Sequence, residues 1–239
     1  MNRRDALLLI TLVLVPLPAL AQNASDRRTI SVSGEGEVKA APDLAIVSFA
    51  VETTAPEAGA AVAENARKSG ALAAAIKQQL GAKDQVSTTG YQLDPIYEQR
   101  DRMVNPPTAP NITGYIARNE VMVQTRSLDT VGKLIDAATK AGANRVNGLT
   151  FTLEQRDAAQ SAALQKAGAD ARRQADEAAK ALGVKIVRVI SATTGSPGII
   201  MQRQYKGGMA AMAEADAMTP VEAGDVSVHA SLQVTYEIE

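Results

Sequence analysis

The stretch "TISVSGEGEVK", residues 29–39, decides the fold because its "GEG" centre allows two interpretations. It is either a glycine loop that cradles a phosphate or a β-strand that carries two glycines. Small or apolar residues occupy the even positions from Ile30 to Ala40, and polar residues occupy the odd positions between them. This strict alternation is typical of a half-buried strand, so the stretch is interpreted as a strand.

The glycines and glutamates of this strand also argue against a phosphate loop. Such a loop needs further glycines at fixed offsets and then a helix N-terminus. The third glycine is missing, Glu35 and Glu37 would repel a phosphate, and a turn at Pro42 follows instead of a helix. Gly34 and Gly36 fall on the inward face, where they predict a bulge or the close approach of another backbone.

Outward from this strand, the same reasoning divides the remaining chain into strands and helices. Apolar or alternating runs predict further strands at 44–53, 86–93, 115–125, 146–153, 184–192 and 226–238. Segments that end at a glycine predict helices at 56–80, 128–141 and 157–182. The first helix is expected to bury a stripe that includes Val62, Ala66 and Ile76, and Ser127 is expected to cap the second. The alanines of the third helix allow close packing against a sheet.

The order of these elements predicts an α+β fold with mixed, largely antiparallel sheets and helices packed on one face. A strand, a helix, Gly-Ala and a strand occur at 44–93 and again at 115–153, and are interpreted as two pseudo-repeated β–α–β units. Two α+β subdomains are predicted, at 22–113 and 114–239. The first carries a Pro-rich arm, and the second carries a Met- and Gly-rich connector.

The N-terminal residues 1–21 have the three parts of a cleaved signal peptide. Two arginines precede an apolar run at 6–15, and Ala-Leu-Ala at 19–21 is a small-x-small cleavage site. The apolar run is too short to span a bilayer comfortably. The pattern predicts cleavage before Gln22 and export to the periplasm.

The composition excludes several classes of partner and site. The 239 residues carry a net charge of −1, and only 3% of them are aromatic. Nucleic acid requires clustered cations and usually stacking rings, so it is not expected as a partner. Cysteine is absent, which excludes disulfides and thiolate sites.

Three segments, taken in order, carry a resemblance to a known family. They are "ISVSGEGEVKAAPDLAIVSFAVE" at 30–52, "GYIARNEVMVQTRSLDTVGKLIDAATKAGANRVNGLTFTL" at 114–153 and "ADARRQADEAAKALGVKIVRVI" at 169–190. Together they resemble the SIMPL-domain family of exported bacterial proteins, a group with periplasmic immunogenic proteins and proteins linked to oxidative-stress defence. The resemblance implies an α+β fold, a periplasmic or envelope location, a tendency to oligomerise and a non-enzymatic role. The family's molecular activity is undefined, and it supplies no catalytic motif; the Met-rich connector is not part of its pattern.

No catalytic, cofactor-binding or metal-binding residue is predicted. His229 is the only histidine, and its odd position places it on the polar face of the last strand. A metal site normally needs more His or Cys ligands, and a catalytic triad would have to use this one residue, so it is interpreted as a solvated strand histidine. Glu35 and Glu37 are interpreted as a solubilising strand edge, and Asp43 as a turn residue.

Four of the seven methionines lie in the connector, at Met201, Met209, Met212 and Met218. Thioethers bind Cu(I), and they also react with oxidants, so a copper site and an oxidant sink are both open interpretations. The favoured interpretation is a flexible apolar loop that packs on a neighbour, because no His or acidic cluster completes a copper site.

The leading hypothesis is an exported, non-enzymatic, self-assembling protein that supports envelope integrity or oxidative-stress tolerance. The homo-oligomer is expected to use the arm at 94–113 or the connector at 195–219, since both are long segments with apolar residues and no core pattern. Association with the outer envelope is a further hypothesis. The alternative is a periplasmic module that binds a small ligand or peptide in an apolar pocket, using the arm at 94–113 and the Met-rich connector. A third is a hydrolase that uses two facing carboxylates.

Overall fold

The computed structural model describes residues 27–98, 110–195, 198–200 and 219–239. The predicted signal peptide, its cleavage site and most of the connector lie outside the described residues. The helices are α1 (Ala58–Gln79), α2 (Val131–Lys140) and α3 (Asp157–Leu182). The strands are β1 (Thr29–Ala40), β2 (Leu44–Ala55), β3 (Gln85–Tyr97), β4 (Ile112–Thr125), β5 (Arg145–Thr152), β6 (Ile186–Thr194), β7 (Gly198–Ile200) and β8 (Val226–Ile238). The predicted α+β class is confirmed.

The strands form two sheets, and the pairings between the described strands are all antiparallel. The central sheet has the order β3-β4-β2-β5. The terminal sheet has the order β1-β8-β6, with β7 also beside β8. The predicted subdomains 22–113 and 114–239 each contribute strands to both sheets, because β1 pairs with β8 and β4 pairs with β2.

The core of the central sheet lies between its strands and the helices α1 and α2. Val47, Phe49 and Val51 of β2 are fully buried on the face that these helices cover. Leu134 of α2 and Ile76 of α1 pack into the same cluster. The prediction that these three β2 residues share an inward face is confirmed.

The buried stripe of α1 is rotated by about one residue from the predicted one. The buried residues are Ala61, Asn65, Leu72 and Ile76, whereas the predicted Ala66 is exposed. The stripe is shifted because a polar residue, Asn65, lies at the centre of the contact between α1 and the sheet. Asn65 Nδ2 donates hydrogen bonds to the backbone carbonyls of Val51 and Ala117, at 2.8 and 2.9 Å, so the amide is satisfied inside the core.

The core of the terminal sheet is built from the alanines of α3 and the glycines of β1. Five alanines at four-residue spacing are buried, namely Ala163, Ala167, Ala171, Ala175 and Ala179. A Cβ atom added to Gly34 would lie 2.1 Å from the Ala167 carbonyl oxygen, and one added to Gly36 would lie 2.0 Å from that of Ala163. The predicted close approach of another backbone to these glycines is confirmed.

The irregular stretch predicted at 94–113 is shorter than expected. β3 continues to Tyr97 and β4 begins at Ile112, and these two residues are paired across the hairpin. Pro95 is compatible with β3 because this strand is at the edge of the sheet, where a missing N–H breaks no ladder.

The start of the second predicted helix also differs. A single 3-10 turn, Leu128–Thr130, precedes α2, and the Ser127 side chain makes no capping hydrogen bond. Instead, the Thr130 hydroxyl donates to the Ser127 carbonyl at 2.9 Å. The expectation that Ser127 caps the helix with its side chain is therefore wrong.

Candidate functional site

The β3–β4 hairpin extends beyond the rest of the central sheet. β2 pairs with β4 only as far as Ala55, which lies opposite Tyr115. Beyond that point β3 and β4 continue as a two-stranded arm to the pair Tyr97 and Ile112. β3 is also the outer strand of the sheet, so one of its edges has no neighbouring strand among the described elements.

The hairpin carries an exposed apolar surface, which we call the β3 stripe, made of Tyr91, Leu93, Tyr97 and Ile112. Their exposed fractions are 52%, 40%, 52% and 49%. The first three alternate along β3, and Ile112 is the partner of Tyr97, so all four share a face of the hairpin.

The β3 stripe is exposed because the helices do not cover it. Leu93 pairs with the fully buried Ala117, which shows that the stripe lies on the helix-bearing face of the sheet. α1 packs over β2 and β4 and makes far less contact with β3. The helix-bearing face of the sheet therefore extends beyond α1, and its uncovered part on β3 is apolar.

The opposite face of the central sheet carries a network of charges. Glu52 accepts hydrogen bonds from Arg118, at 2.5 Å, and from Arg145, at 2.7 Å. Burial raises the pKa of Glu52, but the hydrogen bonds and charges of the two arginines outweigh it and hold the pKa below its usual range. The pairing of one carboxylate with two arginines fixes β2, β4 and β5 relative to one another.

Two shallow cavities occur in the described part of the chain. One, of about 270 Å³, is lined by Thr89, Gly90, Tyr91, Gln92, Arg118 and Glu120. The other, of about 310 Å³, lies between α3 and the end of β6, beside Leu164 and Thr194. Clefts that hold small molecules usually measure about 300–1,000 Å³, so the first cavity lies just below this range and the second at its lower end, and the first is lined largely by polar groups.

His229 lies on the outer face of the terminal sheet, as predicted, and is partly exposed. Its Nε2 is 3.9 Å from Glu37 Oε1. The Ser227 hydroxyl donates to the same carboxylate oxygen at 2.8 Å, and this bond is the main cause that lowers the pKa of Glu37. A Ser-His-acid triad needs the imidazole between serine and acid, whereas here the acid holds the serine directly.

Clusters of metal ligands and membrane-spanning helices are both absent from the residues that the structure describes. These residues contain no cluster of three or more His, Cys, Asp or Glu side chains that could hold a metal ion. None of their helices has the length and hydropathy needed to cross a bilayer. The connector methionines, including Met209 and Met212, lie outside this part of the chain.

A family model described as "SIMPL: Protein of unknown function (DUF541)" matches residues 30–236. The chain belongs to the SIMPL family. The match runs from β1 to β8, so the SIMPL unit contains both sheets, the β3 stripe and the glycine–alanine contact of α3.

Curated relatives of this SIMPL chain come from several bacteria. The 26 kDa periplasmic immunogenic protein of Brucella melitensis is 32% identical over 231 residues, which cover 93% of this chain and 91% of the relative. The uncharacterized protein YggE of Escherichia coli K12 is 26% identical over 223 residues, covering 93% and 86%. YggE of Edwardsiella ictaluri is 27% identical over 163 residues, covering 68% and 66%.

Proposed function

We propose that this SIMPL protein acts in the periplasm as a homo-oligomer that catalyses no reaction and supports envelope integrity or oxidative-stress tolerance. The single observation that carries the proposal is the β3 stripe, an exposed apolar face on a strand whose outer side has no neighbour among the described strands of the central sheet. Exposed apolar patches of this kind tend to mark protein interfaces.

The location in this proposal rests on two supports. The signal-peptide pattern at 1–21 predicts export with cleavage before Gln22. The Brucella relative, 32% identical over nearly all of its length, is named a periplasmic protein. N-terminal sequencing of protein isolated from the periplasmic fraction tests the location and the cleavage site together.

The assembly in this proposal rests on the position of the β3 stripe. Tyrosines are among the residues enriched at interfaces, and Tyr91 and Tyr97 are each about half exposed. β3 is thirteen residues long, and the outer edge of a long strand offers backbone groups to another chain unless it is covered. We propose that a second copy of the same chain covers the β3 stripe, with the stripe at the centre of the contact.

Variants of the stripe test the assembly. Tyr91→Ser with Tyr97→Ser is expected to shift the mature protein to the monomer mass in analytical ultracentrifugation, because two aromatic anchors leave the contact. Val187→Ser with Val189→Ser is the matched control, since these valines are each 51% exposed but belong to β6 in the other sheet. An oligomer that survives in the stripe variant contradicts this interface.

The physiological role is a separate part of the proposal. It is supported by the resemblance of the chain to proteins linked to oxidative-stress defence. A deletion strain that carries the parent gene is expected to survive peroxide better than one that carries the stripe variant. Equal survival of these two strains, with both proteins present at equal levels, contradicts the view that assembly through the stripe serves stress tolerance.

A further inference from the structure

Among the described strands, β1 lies at the edge of the terminal sheet, with β8 on its other side. In an antiparallel edge strand, alternate residues direct their backbone N–H and C=O groups away from the neighbouring strand. Such groups form a template for pairing with another chain, and stable proteins usually protect them.

Three side chains of α3 reach this edge and bond to backbone groups of alternate β1 residues. We call Lys166, Asp170 and Gln174 the side-chain ladder. The bonds join Lys166 Nζ to the Glu37 carbonyl at 2.8 Å, the Glu35 amide to Asp170 Oδ2 at 3.1 Å, and Gln174 Nε2 to the Ser33 carbonyl at 3.0 Å.

The ladder repeats because the spacings of helix and strand match. Four residues of an α-helix advance about 6.0 Å, and two residues of an antiparallel strand advance about 6.8 Å. Each four-residue step along α3 therefore meets a two-residue step along β1, in the opposite direction. Over two steps the accumulated difference is about 1.6 Å, which long side chains can absorb.

The middle rung is held in place by its own neighbours. Asp170 pairs with Arg173 at 2.5 Å and accepts a bond from Gln174 at 2.8 Å. Arg173, then the Glu35 amide and Gln174, hold the pKa of Asp170 below its usual range. The carboxylate therefore stays charged at neutral pH and remains a strong acceptor for the β1 amide.

The height of α3 above β1 is what lets these side chains reach the edge. Gly34 and Gly36 bring the helix backbone so close that a Cβ atom would overlap it. α3 lies mainly over β1 and β8 and contacts β6 little. The helix thus lies near the β1 side of the sheet, and the side chains of the ladder extend over β1 to its outer edge.

We propose that α3 takes the place of a neighbouring strand for β1 and closes this edge, and that without the side-chain ladder the β1 edges of two copies pair with each other. An isologous β1–β1 pair satisfies the exposed backbone groups of both chains. This inference is independent of the assembly proposed through the β3 stripe, because it concerns the other sheet. There, the ladder prevents two copies from pairing, whereas the β3 stripe is proposed to bring two copies together.

The test removes the ladder without weakening the helix. In the triple variant Lys166→Ala, Asp170→Ala and Gln174→Ala, each change introduces the best helix-forming residue. Its mass in sedimentation velocity is expected to be at least double that of the parent at equal concentration. The run uses about 0.5 M salt, which screens repulsion between the glutamates of facing β1 strands.

A matched control and a rescue variant sharpen the result. Gln165→Ala with Arg172→Ala and Asp176→Ala removes the same kinds of side chain from the same helix, and is expected to keep the parent mass. Adding Glu35→Pro to the triple variant removes an edge amide and is expected to restore the parent mass. A triple variant with the parent mass, a control that also grows, or a rescue that fails would overturn the inference.

Hydrogen exchange gives a second readout if the triple variant does not fold. Asp170→Ala alone is expected to speed exchange of the Glu35 amide by about tenfold or more, since it loses a charged acceptor. The Gly36 amide faces β8 by the alternation of the strand and is expected to change much less. An unchanged Glu35 amide would show that Asp170 does not protect the edge.

Discussion

Gly34 and Gly36 set the distance between β1 and α3. The atoms that a side chain at Gly36 would meet are the Ala163 carbonyl oxygen at 2.0 Å and the Ala167 amide nitrogen at 2.6 Å. Both belong to a helix backbone, which cannot turn aside as a flexible side chain can. Any larger residue must therefore push α3 away from the sheet.

Gly36→Val is accordingly expected to lower the free energy of unfolding by about 1–3 kcal/mol or more, the usual cost of overpacking. Chemical denaturation of purified protein measures this change. Gly148→Val in β5 is the control, because no atom lies within 4 Å of a Cβ added there, and it should change stability little. Equal loss in the two variants would show that the contact with α3 is not the cause.

Asn65 is an example of a residue whose burial could not be predicted from the sequence. Its polar side chain disrupts the apolar periodicity of α1, so the pattern favoured a stripe through Ala66 instead. In the fold, Asn65 is fully buried, and its amide bonds to carbonyls of β2 and β4. A buried polar residue can be recognised only when its partners are known, and these lie 14 and 52 residues away.

At the scale of elements, Asp84 joins the end of α1 to the end of β4. Its carboxylate accepts hydrogen bonds from the Gly81 amide at 2.8 Å, the Thr125 hydroxyl at 2.9 Å and the Arg126 amide at 3.0 Å. Burial raises the pKa of Asp84, but these bonds and the charge of Arg126 outweigh it and lower the pKa below its ordinary value.

The lowered pKa gives a pH dependence of known sign. The stabilisation by Asp84 is present above the unfolded pKa of about 3.9 and is lost as the pH falls through the lower folded value. At neutral pH, Asp84→Asn is expected to lower the free energy of unfolding by about 1–2 kcal/mol. Denaturation at stepwise lower pH should show the difference from the parent shrinking, and a constant difference would contradict this role of the charge.

Most elements could be predicted from the sequence because their signals are local. The alternation in β1 and β8 and the glycines after α2 and α3 located these elements closely. The ends of β3 could not be predicted, since Pro95 normally argues against a strand and is tolerated here only at a sheet edge. The 3-10 turn before α2 also depends on backbone geometry that Ser127 alone does not specify.

At the scale of the whole molecule, the order of strands was the hardest feature to predict. β1 and β8 pair from Thr29 with Glu237 to Ala40 with Val226, across nearly the whole described chain. Alternation shows that both strands are half-buried, but it does not say which strands are neighbours. The internal β–α–β echo corresponds to β2-α1-β3 and β4-α2-β5, whose strands make up the central sheet, but it does not indicate that β1 pairs with β8 in a second sheet.

The β3 stripe could be anticipated only in part. The proline-rich arm indicated an interaction segment, but the stripe becomes visible only once α1 is seen to cover β2 and β4 and not β3. Tyr91 and Leu93 look like core residues of a strand in the sequence. Their exposure, and hence the assembly proposed here, depends on where the helix lies.

The central claim is that the mature protein assembles with copies of itself through the β3 stripe. The most direct measurement is the mass of the purified chain beginning at Gln22, by light scattering over a range of micromolar concentrations. Our proposal predicts a mass that is a multiple of the monomer and falls toward the monomer on dilution. A monomer mass across the whole range would contradict it.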